Sequence, residues 1–266
     1  MSDAQRGQVR ATAAEFYVEI FVPALFGQWP DRLLDAARVT EAHDVLDVGC
    51  GTGIVARAAS RRMSGEGRVV GLDPNEGMLA VARTNPEPVE WKLGIGEALP
   101  FDDGTVDRVL SQFAMMFFDD REGAVAEMAR VLRPGGGVAV ATWSALDRAS
   151  GYAAMVDLLL RLFGDAAAED LTAPFVLGDP TQVHDIVATA FPNVRMTTLD
   201  GVARFESIEA RVHTDIRAWT LADMIDDDQY RTLLTEAQET LARFTDDAGR
   251  VAFPAPALIA TATKEV

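Results

Sequence analysis

The sequence is short of cysteine, lysine and histidine, and each shortage removes a class of protein. Cys50 is the only cysteine in 266 residues, so no intrachain disulfide and no cysteine-rich zinc site can form. A reducing, cytoplasmic setting is the expectation. Lysine occurs only at Lys92 and Lys264, the arginines are scattered along the chain, and 41 acidic residues against 24 basic ones leave a formal net charge of −17. That balance repels RNA and DNA, so no nucleic-acid partner is expected. Long apolar runs are also missing. The stretch from Phe16 to Phe26 is interrupted by Glu19 and too short to span a bilayer, and the opening MSDAQRGQVR lacks the pattern of a signal peptide. With 48% apolar and 24% charged residues, the composition is that of an ordinary globular protein, and 266 residues are enough for a large single α/β domain.

What is present is a glycine-rich turn. Asp44-Val45-Leu46-Asp47-Val48-Gly49-Cys50-Gly51-Thr52-Gly53 reads as a buried strand, a turn, and a helix starting near Ile54. Alternate glycines let a ligand lie directly on peptide groups. The spacing is G-x-G-x-G rather than the dinucleotide G-x-G-x-x-G, and no Lys-Ser or Lys-Thr pair follows to make a phosphate loop. Asp47 stands two residues before the first glycine, where it repels a pyrophosphate and attracts an ammonium or a sulfonium. A nicotinamide oxidoreductase is disfavoured on both counts.

S-adenosylmethionine meets those requirements, and VLDVGCGTG resembles the first motif of the class I S-adenosylmethionine-dependent methyltransferases, specifically the type 11, ubiquinone/menaquinone-methylase-like family. Further stretches follow in that family's order. Arg68–Asp73 reads as a second strand ending in an acid about 20 residues beyond the last glycine, the position of a ribose-binding carboxylate. Gly94-Ile95-Gly96-Glu97-Ala98-Leu99-Pro100-Phe101 resembles the family's GDAxxLPF, with Ile95 where an aspartate usually meets the adenine amino group. Either Ile95 contributes backbone and apolar area beside Gly96, or Glu97 replaces the acid; the first is preferred. A strand over Val106–Phe113, a helix over Arg121–Leu132 and the run RVLRPGG before a strand over Val138–Trp143 complete the resemblance. It implies S-adenosylmethionine as cofactor, no metal, and a Rossmann-like, doubly wound seven-stranded sheet with an antiparallel last strand, helices on both faces and a helical lid. The cofactor residues it implies are Asp47, Gly49, Cys50, Gly51, Gly53, Asp73, Pro74, Met78, Ile95, Gly96, Gln112 and Phe113.

A single domain is expected over 1–266, with cover helices in 1–40, the cofactor core in 41–145, a helical segment in 146–192, and the last strands in 193–266. Lid helices are placed within 206–246. Tyr17, Trp29, Met116 and Trp219 are candidates for substrate or lid contact. The predicted C-terminal elements are a helix over Tyr152–Phe163, another opening at Asp179-Pro180, a strand over Val194–Phe205, helices over Glu206–Ala222 and Gln229–Phe244, and a last strand over Leu258–Thr263. Methyl transfer from a sulfonium is an in-line displacement, and it needs a base only when the acceptor holds its proton tightly. His43 and His184 read as surface residues. His213 is the candidate base. The expected substrate is a small, partly apolar metabolite methylated at O, N or C; the alternatives are a cofactor-binding protein without methyl transfer, or a protein methyltransferase.

Overall fold

The computed structural model describes residues 17–63, 67–217, 221 and 224–266, without the side chains of Tyr17 and Arg217. Trp219 lies outside the described residues. Two helices precede the sheet: α1 (Tyr17–Phe26), a wide π-type helix containing Pro23, and α2 (Pro30–Ala36), which opens with its proline in the first turn. The core then alternates β1 (Asp44–Val48), α3 (Ile54–Arg62), β2 (Arg68–Asp73), α4 (Glu76–Ala82), β3 (Glu90–Leu93), β4 (Val106–Gln112), α5 (Arg121–Val131) and β5 (Leu132–Trp143). Strands β1 and β2 are almost wholly buried apolar runs, as parallel strands covered on both faces must be.

The remainder comprises α6 (Ser150–Phe163), α7 (Asp165–Thr172), α8 (Pro180–Ala188), β6 (Arg195–Leu199), β7 (Val202–Phe205), α9 (Ile208–Arg217), α10 (Asp227–Thr240), β8 (Val251–Pro254) and β9 (Ala257–Thr263). The seven-stranded sheet has the order β3-β2-β1-β4-β5-β9-β6, parallel except that β9 runs antiparallel to both β5 and β6. The expected doubly wound sheet with an antiparallel last strand is therefore present. Strand order reverses between β1 and β4, and a crevice opens there at the carboxyl ends of the parallel strands. No helix of the described residues is long and apolar enough to cross a membrane.

Side chains of the recurrent motifs bind the core together. Arg130 of α5 donates to the carbonyls of Phe101 (2.7 Å) and Leu99 (3.0 Å) and pairs with Asp103 and Glu127, which fastens the ALPF stretch to the helix before RVLRPGG. Arg133 bridges Asp44 at the start of β1 (2.9 Å) and Asp107 in β4 (2.7 Å).

Two expectations change in the C-terminal half. Val194–Phe205 is two strands, with β7 leaving the main sheet to pair with β8 in a separate hairpin. The break falls at Gly201, where a Cβ would sit 2.2 Å from the Trp29 indole and 2.4 Å from the Ala255 carbonyl. Gln28 then clamps the departing chain, accepting from Val202 N–H (3.1 Å) and donating to its carbonyl (3.0 Å). The second change is the unexpected α7, an eight-residue helix that packs on α6.

Inside this half Arg211 of α9 is fully buried. Its guanidinium faces the Asp215 carboxylate one turn on and lies 4.3 Å from the centre of the Tyr152 ring, 4.9 Å from Phe205 and 5.3 Å from Phe253. Burial pulls its pKa down to about 10. The pair joins α9 to α6 and to the β7–β8 hairpin through cation–π contacts in a dry environment.

Candidate active site

The crevice at the β1–β4 switch point is a cleft with two kinds of wall. One is polar and belongs to β1, β2 and the glycine turn: Asp47, Gly49, Cys50, Gly51, Thr52, Asp73, Pro74 and Asn75. The other is apolar and aromatic: Phe26, Phe113, Phe117, Phe118, Trp143 and Pro174. Met78 closes the end near β2, and Gln112 lies at the end of β4.

The polar wall is held by backbone hydrogen bonds. Gly49 and Cys50 N–H both donate to the Leu72 carbonyl (2.8 and 3.0 Å), which anchors the turn on β2. Gly51 has φ +55°, and a Cβ there would meet nothing within 4 Å, so this peptide is left uncovered toward a ligand. Asp73 accepts from Gly51 N–H and Asn75 N–H, both at 2.8 Å. Each of its oxygens keeps a lone pair for a further donor. Capping of α4 falls to Asn75, which accepts from Gly77 and Met78 N–H, so Asp73 is not consumed as a helix cap.

Asp47 is buried with only one of its two oxygens satisfied. It is 1% exposed; Oδ2 accepts from Ala56 N–H (3.0 Å), whereas Oδ1 is buried with no hydrogen-bond partner. Burial, opposed by the Ala56 bond and reinforced by the nearby Asp73 charge, raises its pKa to about 7. Burial likewise raises Asp73 and the Cys50 thiol. Two carboxyl groups that lie in no ion pair among the described residues, with only the charge of Arg57 acting on Asp47 from nearby, suit a ligand that brings a positive charge and hydroxyl donors.

The aromatic wall rests on an unusual backbone. Phe113 follows β4 with φ +55°, a conformation that a bulky residue adopts only where its surroundings impose it. Its N–H donates to the Ala141 carbonyl (2.9 Å) and its ring stacks on Trp143 at 3.7 Å and 5°. Phe26 from α1 tilts against both rings at 5.7 and 5.8 Å. The N-terminal segment thus does reach the cleft, through Phe26.

Of the residues named from the sequence, Asp47, Gly49, Cys50, Gly51, Asp73, Pro74, Met78, Gln112 and Phe113 line the cleft. Others lie elsewhere. Trp29 is wholly buried behind the wall, edge-on to Phe113 and Trp143, because its indole fills the space left by Gly201. Met116 is buried in the short turn Met115–Phe117 and does not line the cleft. A Cβ on Gly53 would meet the Trp91 ring at 2.2 Å, so this glycine serves close packing at the start of α3. Gly96 is packed against Phe118 and Val48, and Ile95 is 48% exposed outside the cleft. Glu97 does not replace the missing acid; it accepts from Asp119 N–H (2.9 Å) ahead of α5. His213 faces α10, its ring edge-on to Tyr230 at 6.5 Å, rather than the cleft. Sequence reasoning missed Phe26, Phe117, Phe118, Trp143 and Pro174. The first four stood in view as aromatic residues next to recognised motifs, but Pro174 had no signal at all.

Comparison with known proteins bears on the family and the fold of the core. Residues 46–140 match the family described as "Methyltransferase domain". The chain is 31% identical over 165 residues to the ubiquinone/menaquinone biosynthesis C-methyltransferase UbiE of Hahella chejuensis, covering 59% of this chain and 66% of that protein. It is 35% identical over 122 residues to UbiE of Idiomarina loihiensis, covering 44% and 49%. The chain thus spans about half of one relative and just under two thirds of the other. In fold it resembles the YcgJ protein of Bacillus subtilis (TM-score 0.59, 19% identity, 90% of this chain and 99% of that one). It also resembles phosphoethanolamine N-methyltransferase 2 of Haemonchus contortus, solved with S-adenosyl-L-methionine (TM-score 0.60, 20% identity, 96% and 57%). With the first motif, its carboxylates and the reversed-strand crevice in one place, residues 46–140 form the core of a class I S-adenosylmethionine-dependent methyltransferase domain, and S-adenosylmethionine is the cofactor of that core.

Proposed function

We propose that the chain transfers a methyl group from S-adenosylmethionine to a small, partly apolar acceptor at O, N or C. The observation that carries this reading is the two-walled cleft, with buried carboxylates on one side and stacked aromatic rings on the other. The cofactor, when bound, supplies an electrophilic methyl group on a positively charged sulfur. Asp47 offers its unpaired oxygen to the cationic part of that ligand, and Asp73 offers lone pairs to the ribose hydroxyls. Gly51 supplies an uncovered peptide on which the ligand can lie. Phe26, Phe113 and Trp143 supply a flat apolar surface that orients an acceptor and keeps water away. Among the described residues lining the cleft there is no imidazole, amine or phenol, and the proposed catalysis is alignment and desolvation by these walls. The two relatives named as C-methyltransferases of quinone biosynthesis make electron-rich rings the first acceptors to try.

The test uses methyl-labelled cofactor with a panel of phenols, quinols, small amines and peptides. Label in a ring compound supports the reading. Label only in peptide, or binding without any transfer, overturns it. A parallel thermal-shift series should show stabilisation by S-adenosylmethionine and S-adenosylhomocysteine and none by NAD.

A further inference from the structure

The structure gathers arginines that the sequence scatters. A second groove lies at the amino ends of the parallel strands, away from the cofactor cleft and sharing no residue with it. It is lined by Arg32, Arg38, Arg108 and Arg195, with Thr197 of β6 and Thr261 of β9 on the sheet surface. Among the described residues, the only acidic one lining it is Asp35, whose carboxylate is already paired with Arg62 at 2.7 Å. In a chain with 41 acids and 24 bases, an unbalanced basic groove is a departure that asks for a cause.

The state of each arginine sharpens the point. Arg32 is engaged, donating to the Asp200 carbonyl (2.5 Å) and lying 5.0 Å from the centre of the Trp29 ring. Arg108 donates through one nitrogen to the carbonyl of Asp107 (2.7 Å), while its Nε is buried without a partner. Arg38 stands just past α2 with φ +52°, close enough to Arg108 for the two charges to repel. Burial is the main cause lowering the Arg108 pKa, and the positive charge of Arg38 adds to it against Asp107; His43 is lowered in turn by burial and by Arg108. Asp107 attracts Arg108 but makes its ion pair with Arg133 (2.7 Å), the same oxygen accepting from Asp44 N–H (2.8 Å). Arg38, Arg108 and Arg195 take part in none of the ion pairs among the described residues.

We propose that this groove is a second ligand site, where Arg38, Arg108 and Arg195 bind the phosphoryl group of a small phosphorylated compound or of free phosphate. Two guanidinium groups that lie in no ion pair, lining one groove, match a group that concentrates nearly two negative charges on three acceptor oxygens. One carboxylate brings half that charge. A nucleic acid is disfavoured by length: beyond the groove its phosphates would run over a strongly acidic surface. The site is independent of the methyl-transfer reading, since it uses none of the cleft.

Isothermal titration at constant ionic strength tests the proposal, with inorganic phosphate and glycerol 3-phosphate as probes and chloride as control. The wild type is expected to bind in a single-site isotherm, and Arg38→Gln and Arg108→Gln to weaken it about tenfold or more. S-adenosylhomocysteine binding should be unchanged in each variant, which also certifies the fold. Equal affinity for the two probes identifies the phosphoryl group itself as what is recognised; tighter glycerol 3-phosphate shows that the groove floor reads the organic part as well. If Arg108→Gln fails to fold, the exposed pair Arg38→Gln with Arg195→Gln carries the test. No phosphate binding, binding that the variants leave intact, or binding of a tetraglutamate peptide without either phosphate would overturn the proposal.

Discussion

Two buried aspartates divide the molecule by their surroundings. Asp47 and Asp215 are each 1% exposed. Asp215 has its cation beside it: Arg211 sits one helical turn away inside a cage of Tyr152, Phe205 and Phe253. Asp47 has one backbone N–H and an open cleft. A buried carboxylate that has its partner is part of the framework, and removing the partner breaks the framework. One without a partner is a place for a ligand, and its cost is borne by the unliganded protein.

The largest effect should come from breaking the complete pair. Arg211→Ala leaves Asp215 buried and uncompensated and empties the cage, with an expected loss of about 3–5 kcal/mol in denaturant unfolding. The double change Arg211→Met with Asp215→Leu should recover most of it. If the single change costs less than about 1 kcal/mol, the two aspartates do not differ as described.

Asp47→Asn should have the opposite profile, a more stable unliganded protein at pH 8 and cofactor binding weaker by about tenfold or more. The sign follows from its pKa, raised from 3.8 to about 7 by burial. The folded state holds the proton more tightly, so this stabilising contribution is complete below pH 3.8 and is lost as pH rises through 7. Its full span is at most about 4 kcal/mol. Only the ionised form attracts a cation, so the affinity for S-adenosylmethionine should rise between pH 6 and 7.5, by roughly tenfold at most. The affinity for 5′-methylthioadenosine, which has neither ammonium nor sulfonium, should stay flat, and the Asp47→Asn change should abolish the difference in pH dependence between the two ligands.

A smaller effect is expected at Ile95→Asp. Ile95 is exposed outside the cleft, so restoring the family's acid should change cofactor affinity by no more than about 1 kcal/mol in titration. The smallest is His213→Gln, whose ring packs on Tyr230 rather than in the cleft. Turnover within twofold of wild type, about 0.4 kcal/mol, is the expected result; a greater loss would return His213 to the reaction.

Most of the cofactor wall was readable along the chain because it is built by short βα connections. Residues 47, 49, 50 and 51 share one turn, and Asp73 and Pro74 end the next strand. Local patterning reports such neighbours directly. Trp29, Met116 and His213 were misplaced because an aromatic, a methionine or a histidine near a motif looks the same whether its side chain faces a ligand or the core. For Trp29 the choice was made 172 residues later by Gly201, which leaves room for the indole.

By itself the sequence determined the nucleotide-type fold, the cofactor class and the two carboxylates, Asp47 and Asp73, that line the cleft, since all three depend on residues close in the chain. Tertiary structure alone decided that Phe26, Phe113 and Trp143 form one wall, that the strand expected over Val194–Phe205 breaks in two, and that Arg211 finds Asp215 within an aromatic cage. It also gathered Arg38, Arg108 and Arg195 into one groove on a chain whose overall charge argued against nucleic acid. The physical reason is the same in each case: packing and electrostatics act through space over a few ångströms, and residues far apart in the chain come that close only when the sheet is assembled.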